Sequence, residues 1–231
     1  MNYLLKIENL KKVYHDINGE ILALDNINFE VKDKEFISIV GPSGCGKSTL
    51  LSILNNLENK SSGKITYSKD NIKFGYMLQK DSLFPWLNVL DNCLLGLKIS
   101  KSLNKKTKDF VINLLNTYGL KDFIYKYPSS LSGGMKQRVA LIRTLAINPD
   151  ILLLDEPFSA LDYQSRLILS DDVYNIIKKE GKTAIMVTHD LAEVISLIRM
   201  TTSSSYYFHC TKYNQKIGSI FSYFKIVLLT F

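Results

Sequence analysis

The sequence predicts an α/β fold, a parallel core sheet with an inserted helical subdomain, on three observations. The run EFISIV at 35–40 leads straight into a glycine-rich turn, GPSGCGKST, and then into STLLSILNNL, whose apolar residues recur at helical spacing. Two later runs, ILLLD at 151–155 and TAIMVTH at 183–189, are largely apolar without alternation, as strands covered on both faces of a parallel sheet are. The middle third reads as more helical than either side.

The elements follow in order. Residues 3–40 alternate apolar and polar side chains around Gly19, with LLKIENL, ILALDNINFEV and EFISIV as strands. In the helix after the glycine turn, Leu50, Leu51, Ile53, Leu54 and Leu57 are expected to bury one face against a sheet. Residues 64–67 and 73–78 read as short strands, and 104–118 as a helix stopped by Gly119. No repeat or low-complexity segment interrupts this order.

Composition narrows the function classes. With 231 residues and 46% hydrophobic content, the chain can build one sizeable core, or a core with an inserted subdomain. The 29 basic residues exceed the 22 acids by +7, but the excess is scattered, as at Lys11 and Lys12, Lys105 and Lys106, and Lys178 and Lys179. No basic block forms a nucleic-acid arm, so no nucleic-acid partner is expected. A solvated face is the plainer account of these lysines, a mild attraction to anionic lipid or phosphate the other. Cys45, Cys93 and Cys210 are odd in number and widely spaced, giving neither a metal pattern nor a disulfide framework and pointing to a reducing cytoplasm. The start, MNYLLKIENLKKVY, has too short an apolar run for a signal peptide. No apolar stretch reaches the roughly 20 residues of a membrane span, and the nearest, 217–231, carries Lys225. Any membrane role is therefore expected to come through partner subunits.

The turn at 41–49 has the phosphate-loop spacing of glycine, four residues, glycine, lysine and a hydroxyl residue. Across Gly41, Pro42, Ser43, Gly44, Cys45 and Gly46 the backbone can curl its amides toward phosphate oxygens, and the following helix N-terminus adds positive partial charge. Lys47 is expected on the β and γ phosphates of ATP, the Ser48 hydroxyl on Mg²⁺, and Thr49 on a further phosphate oxygen. Cys45, beside Lys47 and the helix dipole, sits where a thiol pKa can fall, and its alkylation is expected to block ATP binding; equally, it is a small residue that fits the loop. At the end of ILLLD, Asp155 is expected to hold Mg²⁺ through its water shell and Glu156 to act as general base on the attacking water.

LSGGMKQR at 131–138 closely resembles the signature of the ATP-binding-cassette family, and its Ser132, Gly133 and Gly134 again open a helix as an anion site. The resemblance covers about residues 1–197. It implies a phosphate-loop NTPase (RecA-like) core sheet within residues 1–200, an N-terminal antiparallel β subdomain and an inserted α-helical signature subdomain at about 80–147. It also implies a head-to-tail dimer of ATPase subunits, in which the signature of one closes on the nucleotide of the other. Position by position, Tyr14 matches the aromatic that stacks on adenine, Gln79 the glutamine that touches Mg²⁺ and the water, Asp162 the loop crossing between subunits, and His189 the switch histidine at the γ phosphate.

The stretch KDSLFPWLNVLDNCLLGL after Gln79 is similar to that in ATPases of nitrate, sulfonate and taurine importers, with Pro85 and Trp86 its most telling residues. An exposed Trp86 would anchor a transmembrane permease subunit; otherwise it packs in its own subdomain. The implied protein is a peripheral ATPase on the cytoplasmic face of the membrane, serving a permease and, indirectly, an extracytoplasmic solute-binding protein. A soluble non-transport cassette and a truncated ATP-binding remnant are the alternatives. After LAEVISL the chain departs from the family pattern, and 201–231 reads as an aberrant tail for which a frameshift is the suspected origin. If genuine, the tail is expected to cost the sheet family strands and to leave an exposed edge.

Overall fold

The computed structural model describes residues 3–17, 19–159, 161–194, 208–210, 216–217 and 224–228. Two sheets organise the chain. The first is antiparallel, ordered β2-β1-β4 from β1 (Leu5–Asp16), β2 (Gly19–Val31) and β4 (Ser62–Tyr67), with the β1–β2 hairpin closing at Asp16 opposite Gly19. The second runs β5-β6-β7-β3-β10-β8-β9 from β5 (Phe74–Met77), β6 (Ile151–Asp155), β7 (Thr183–Thr188), β3 (Phe36–Val40), β10 (Phe224–Leu228), β8 (Phe208–Cys210) and β9 (Lys216–Ile217). Its pairs are parallel except β8 with β9.

Every residue of β3, β6 and β7 is buried, which is why their sequences lack alternation. The period of two survives in what each side chain meets. Leu152, Leu154, Ala184 and Met186 join a core with the helices α2 (Val89–Ile99), α3 (Lys105–Thr117), α4 (Gly133–Ala146) and α5 (Tyr163–Lys179). Ile37, Ile39, Leu153, Ile185 and Val187 point the other way, into a core shared with α1 (Lys47–Leu54) and the antiparallel sheet.

Helix α1 buries Leu50, Leu51, Ile53 and Leu54 as expected, but Leu57 is exposed. The helix stops at Leu54 because Asn55 caps it and Asn56 turns left-handed, at φ 56°, so Leu57 never reaches the helical face. Helix α3 starts in a capping box between Asn104 and Thr107 and is followed by Gly119 at φ 75°, close to the expected span. Helix α5 was not singled out in the sequence, although Leu169, Val173, Tyr174, Ile176 and Ile177 recur at helical spacing and are buried.

The tail behaves differently from the expectation of a sheet short of strands. Phe224 to Leu228 pair in parallel with Phe36 to Val40, and β8 pairs with β10, so the place beside β3 is filled. The point of departure itself, at 198–205, lies outside the described residues, as do the side chains of 208–228. Among the described residues no helix is long and apolar enough to cross a membrane.

Candidate active site

The parallel sheet sets the site. β5, β6, β7 and β3 are consecutive neighbours, so the loops leaving their C-terminal ends emerge side by side. Those loops carry Gln79, Asp155 with Glu156, His189, and the glycine turn. Gly41 N–H donates to the Thr188 carbonyl at 3.3 Å, joining the first and last of them in chain order.

The turn has the curl its glycines were expected to allow. Gly44 and Gly46 take φ 85° and 90°, and Gly46 caps α1. A Cβ at Gly46 would lie 2.3 Å from the Ala23 carbonyl oxygen of β2, so the loop is wedged against the antiparallel sheet. Lys47 is only 4% exposed, and its ammonium donates to the carbonyls of Gly41 at 2.8 Å and Pro42 at 2.9 Å. Glu156 Oε1 lies 3.6 Å from the same nitrogen. A buried cation held at the centre of a loop of backbone donors is chemically matched to a polyphosphate.

Ser48 Oγ donates to Asp155 Oδ1 and Tyr76 Oη to Asp155 Oδ2, both at 3.0 Å. Burial raises the Asp155 carboxyl pKa against the pull of these two hydrogen bonds. Burial and the adjacent carboxylate push the Tyr76 phenol up to about 12. Among the described residues no three His, Cys, Asp or Glu side chains gather as a metal cage. One hydroxyl and one carboxylate beside a phosphate loop are instead the sparse, hard-oxygen set that suits Mg²⁺, which keeps waters and takes phosphate oxygens as its other ligands.

Glu156 sits at φ 44°, a left-handed conformation costing about 1–3 kcal/mol. Its amide is fixed by donation to the Val187 carbonyl at 3.0 Å. The turn aims the carboxylate at three partners: Lys47, Gln79 Nε2 at 3.3 Å from Oε2, and His189 Nδ1 at 3.0 Å from Oε2. Gln79 Nε2 also reaches Ser159 Oγ at 3.3 Å. A carboxylate so placed, beside a lysine, a glutamine and an imidazole, can polarise a water against a phosphorus held by the loop.

The structure thus gathers Lys47, Gln79 and His189 around Glu156, and Ser48 beside the neighbouring Asp155. The remaining candidates stand elsewhere. Tyr14 is half-buried on β1 with the Lys12 ammonium 4.6 Å from its ring centre. Ser132 caps α4 by accepting from Met135 N–H, and a Cβ at Gly133 would lie 2.8 Å from Leu161. Asp162 caps α5 by accepting from Ser165 N–H at 3.0 Å, and those backbone bonds hold its carboxyl pKa down.

The expectation of an activated thiol at Cys45 is overturned. The side chain is 7% exposed, and burial raises its pKa more than Lys47 lowers it. Alkylation of the folded chain at neutral pH is expected to be at least about tenfold slower than for free cysteine, and the product to bind no ATP. Mass-spectrometric labelling at Cys45, followed by ATP titration, checks both.

Tyr76 and Ser159 were missed. Tyr76 is in register with Leu153, two residues before Asp155, so it lies on the face of Asp155. A sequence shows that alternation but not the β5–β6 register that makes it meaningful.

Comparison with known proteins decides the family. A model described as ABC transporter matches residues 24–159. The chain belongs to the ABC transporter family. The cassette is 46% identical over 198 residues to the uncharacterized ABC transporter ATP-binding protein YtlC of Bacillus subtilis, covering 84% of this chain and 76% of that one. It is 40% identical over 198 residues to the aliphatic sulfonates import ATP-binding protein SsuB of Bacillus cereus, covering 84% and 78%. It superposes on a dimeric, post-hydrolysis ATP-binding cassette, MJ0796, bound to ADP and phosphate, with TM-score 0.69 and 32% identity over 83% of this chain and 90% of that one. As a member of this family the cassette binds ATP and hydrolyses it.

Proposed function

We propose that the cassette energises an importer of small oxyanions of the nitrate, sulfonate or taurine kind. In this reading two copies close head to tail over two Mg²⁺-ATP. Lys47 and Thr49 hold the phosphates, and Ser48, Asp155 and Gln79 the Mg²⁺. Glu156 activates the water, with Gln79 and His189 beside it. Tyr14 stacks on adenine, and Ser132, Gly133 and Gly134 close on the nucleotide of the other copy, with Asp162 at the crossing loop. The transition state is stabilised by positioning and charge rather than by covalent chemistry. The cassette would work from the cytoplasmic face, bound to permease subunits that receive solute from an extracytoplasmic binding protein. The sulfonate-import name of one relative supports this substrate class.

The observation that carries the importer reading is the path from Glu156 to the surface. Gln79, bonded to Glu156, begins the segment that ends in Phe84 and Trp86, whose rings are 5.2 Å apart. Trp86 is 69% exposed, so it does not serve its own core and is free to anchor a partner. Trp86→Ala is expected to weaken sedimentation with the source membranes by about tenfold or more, the loss of a hot-spot side chain. ATP turnover of the isolated chain should stay within about twofold, since Trp86 touches none of the reacting groups. Unchanged membrane binding would overturn the importer reading and leave the ATPase assignment intact.

A further inference from the structure

Behind His189 lies a second polar cluster that the ATP site does not use. Its hub is Arg166, in the first turn of α5, with a side chain 19% exposed. One terminal nitrogen donates to the Leu161 carbonyl at 3.0 Å, on the residue before Asp162. The other donates to Asp190 Oδ2 at 2.7 Å, on the residue after His189. The third nitrogen, Nε, is buried without a hydrogen-bond partner among the described residues, 3.6 Å from Glu193 Oε1.

The segment after β7 is tied down around the histidine. Thr188 Oγ1 donates to the buried Glu193 carboxylate at 2.7 Å and accepts from Asp190 N–H at 3.0 Å. Asp190 Oδ1 accepts from Ala192 N–H at 2.7 Å. Both neighbours of His189 are therefore anchored, and one of the two anchors, Asp190, is held by Arg166. The same guanidinium holds the loop at Leu161, against which the signature glycine Gly133 packs.

We infer that Arg166 is a positioning residue that makes the loop at Asp162 and the segment carrying His189 move as one. A planar guanidinium with two fixed donors on two different loops transmits a displacement of either to the other, which a single-point lysine cannot do. Its buried Nε, ion-paired with Glu193 Oε1 at 3.6 Å but not hydrogen-bonded among the described residues, leaves that hydrogen bond to be completed by a small shift. Closing the crossing loop against a second copy would then shift His189, already 3.0 Å from Glu156 Oε2, in the same step. The inference rests on the proposed roles of Asp162 and His189, and the controls keep the two apart.

The test compares kcat and nucleotide binding for Arg166→Ala, Arg166→Lys, Asp190→Asn and the double variant Arg166→Ala/Asp190→Asn, with Glu156→Gln as control. Arg166→Ala is expected to lower kcat by about tenfold or more while binding of a fluorescent ATP analogue stays within about twofold. Arg166→Lys should recover only part of the loss. Millimolar guanidinium chloride should restore turnover in Arg166→Ala and not in Glu156→Gln, a rescue that a merely structural role would not give. The double variant should be no slower than the slower single variant to within about twofold, because one linkage is cut twice. Wild-type turnover in Arg166→Ala, losses that multiply, or a loss that guanidinium leaves unchanged would overturn the inference. Wild-type turnover in Glu156→Gln would instead overturn the reading of the site.

Discussion

Glu156→Gln is expected to lower kcat for ATP hydrolysis by about 10² to 10⁴-fold, the range for removing a general base, with ATP affinity changed by less than about threefold. The carboxylate is in place without a ligand's help: the left-handed turn at φ 44° and the Val187 hydrogen bond fix its backbone, and Gln79 and His189 fix its oxygen. Glutamine preserves the shape and can still meet Gln79 and His189, but it cannot take a proton from water. It also removes the negative charge 3.6 Å from Lys47, which favours phosphate binding slightly and keeps affinity from falling. A kcat within about fivefold of wild type would assign the base elsewhere.

Gly46→Ala is expected to damage both the fold and the binding of ATP. Two costs add at this position. The residue stands at φ 90°, where a Cβ costs about 1–2 kcal/mol. The methyl would also meet the Ala23 carbonyl oxygen at 2.3 Å and Leu24 Cδ2 at 2.8 Å, an overpacking cost of about 1–3 kcal/mol. The loop must shift off β2, and with it the amides and the Lys47 ammonium that face phosphate. Melting should fall by about 5–15 °C, and ATP affinity by more than tenfold, about 1.4 kcal/mol or more. Gly44→Ala is the control, since Gly44 has a similar φ of 85° but nothing within 4 Å of its would-be Cβ. Only the backbone cost should appear there, and equal effects at the two positions would contradict the wedging of Gly46 against β2.

What the sequence made legible follows from the range of each signal. The glycine turn, the acidic pair and the signature are contiguous motifs whose chemistry is written in neighbouring residues, and Lys47, Ser48, Asp155 and Glu156 stand where that chemistry requires. The fully buried strands were legible because burial on both faces erases alternation. Leu57 misled because it sits at helical spacing beyond a left-handed asparagine that ends the helix. Cys45 misled because its charged neighbours are visible in sequence while the packing that desolvates the thiol is not. Tyr76 and Arg166 were missed for a common reason: their partners lie 79 and 24 residues away, brought close only by strand register and by the return of the chain through α5 and β7.

This chain, with its own tail, is expected to be a working ATPase that acts as a dimer. Phosphate release from the purified 231-residue chain with Mg²⁺-ATP, measured across protein concentration, checks this. Turnover per chain that rises with concentration and vanishes in Glu156→Gln is the expected result. ATP binding without phosphate release at any concentration, with hydrolysis appearing only when 201–231 is replaced by a family-pattern ending, would contradict it and make this chain an ATP-binding remnant.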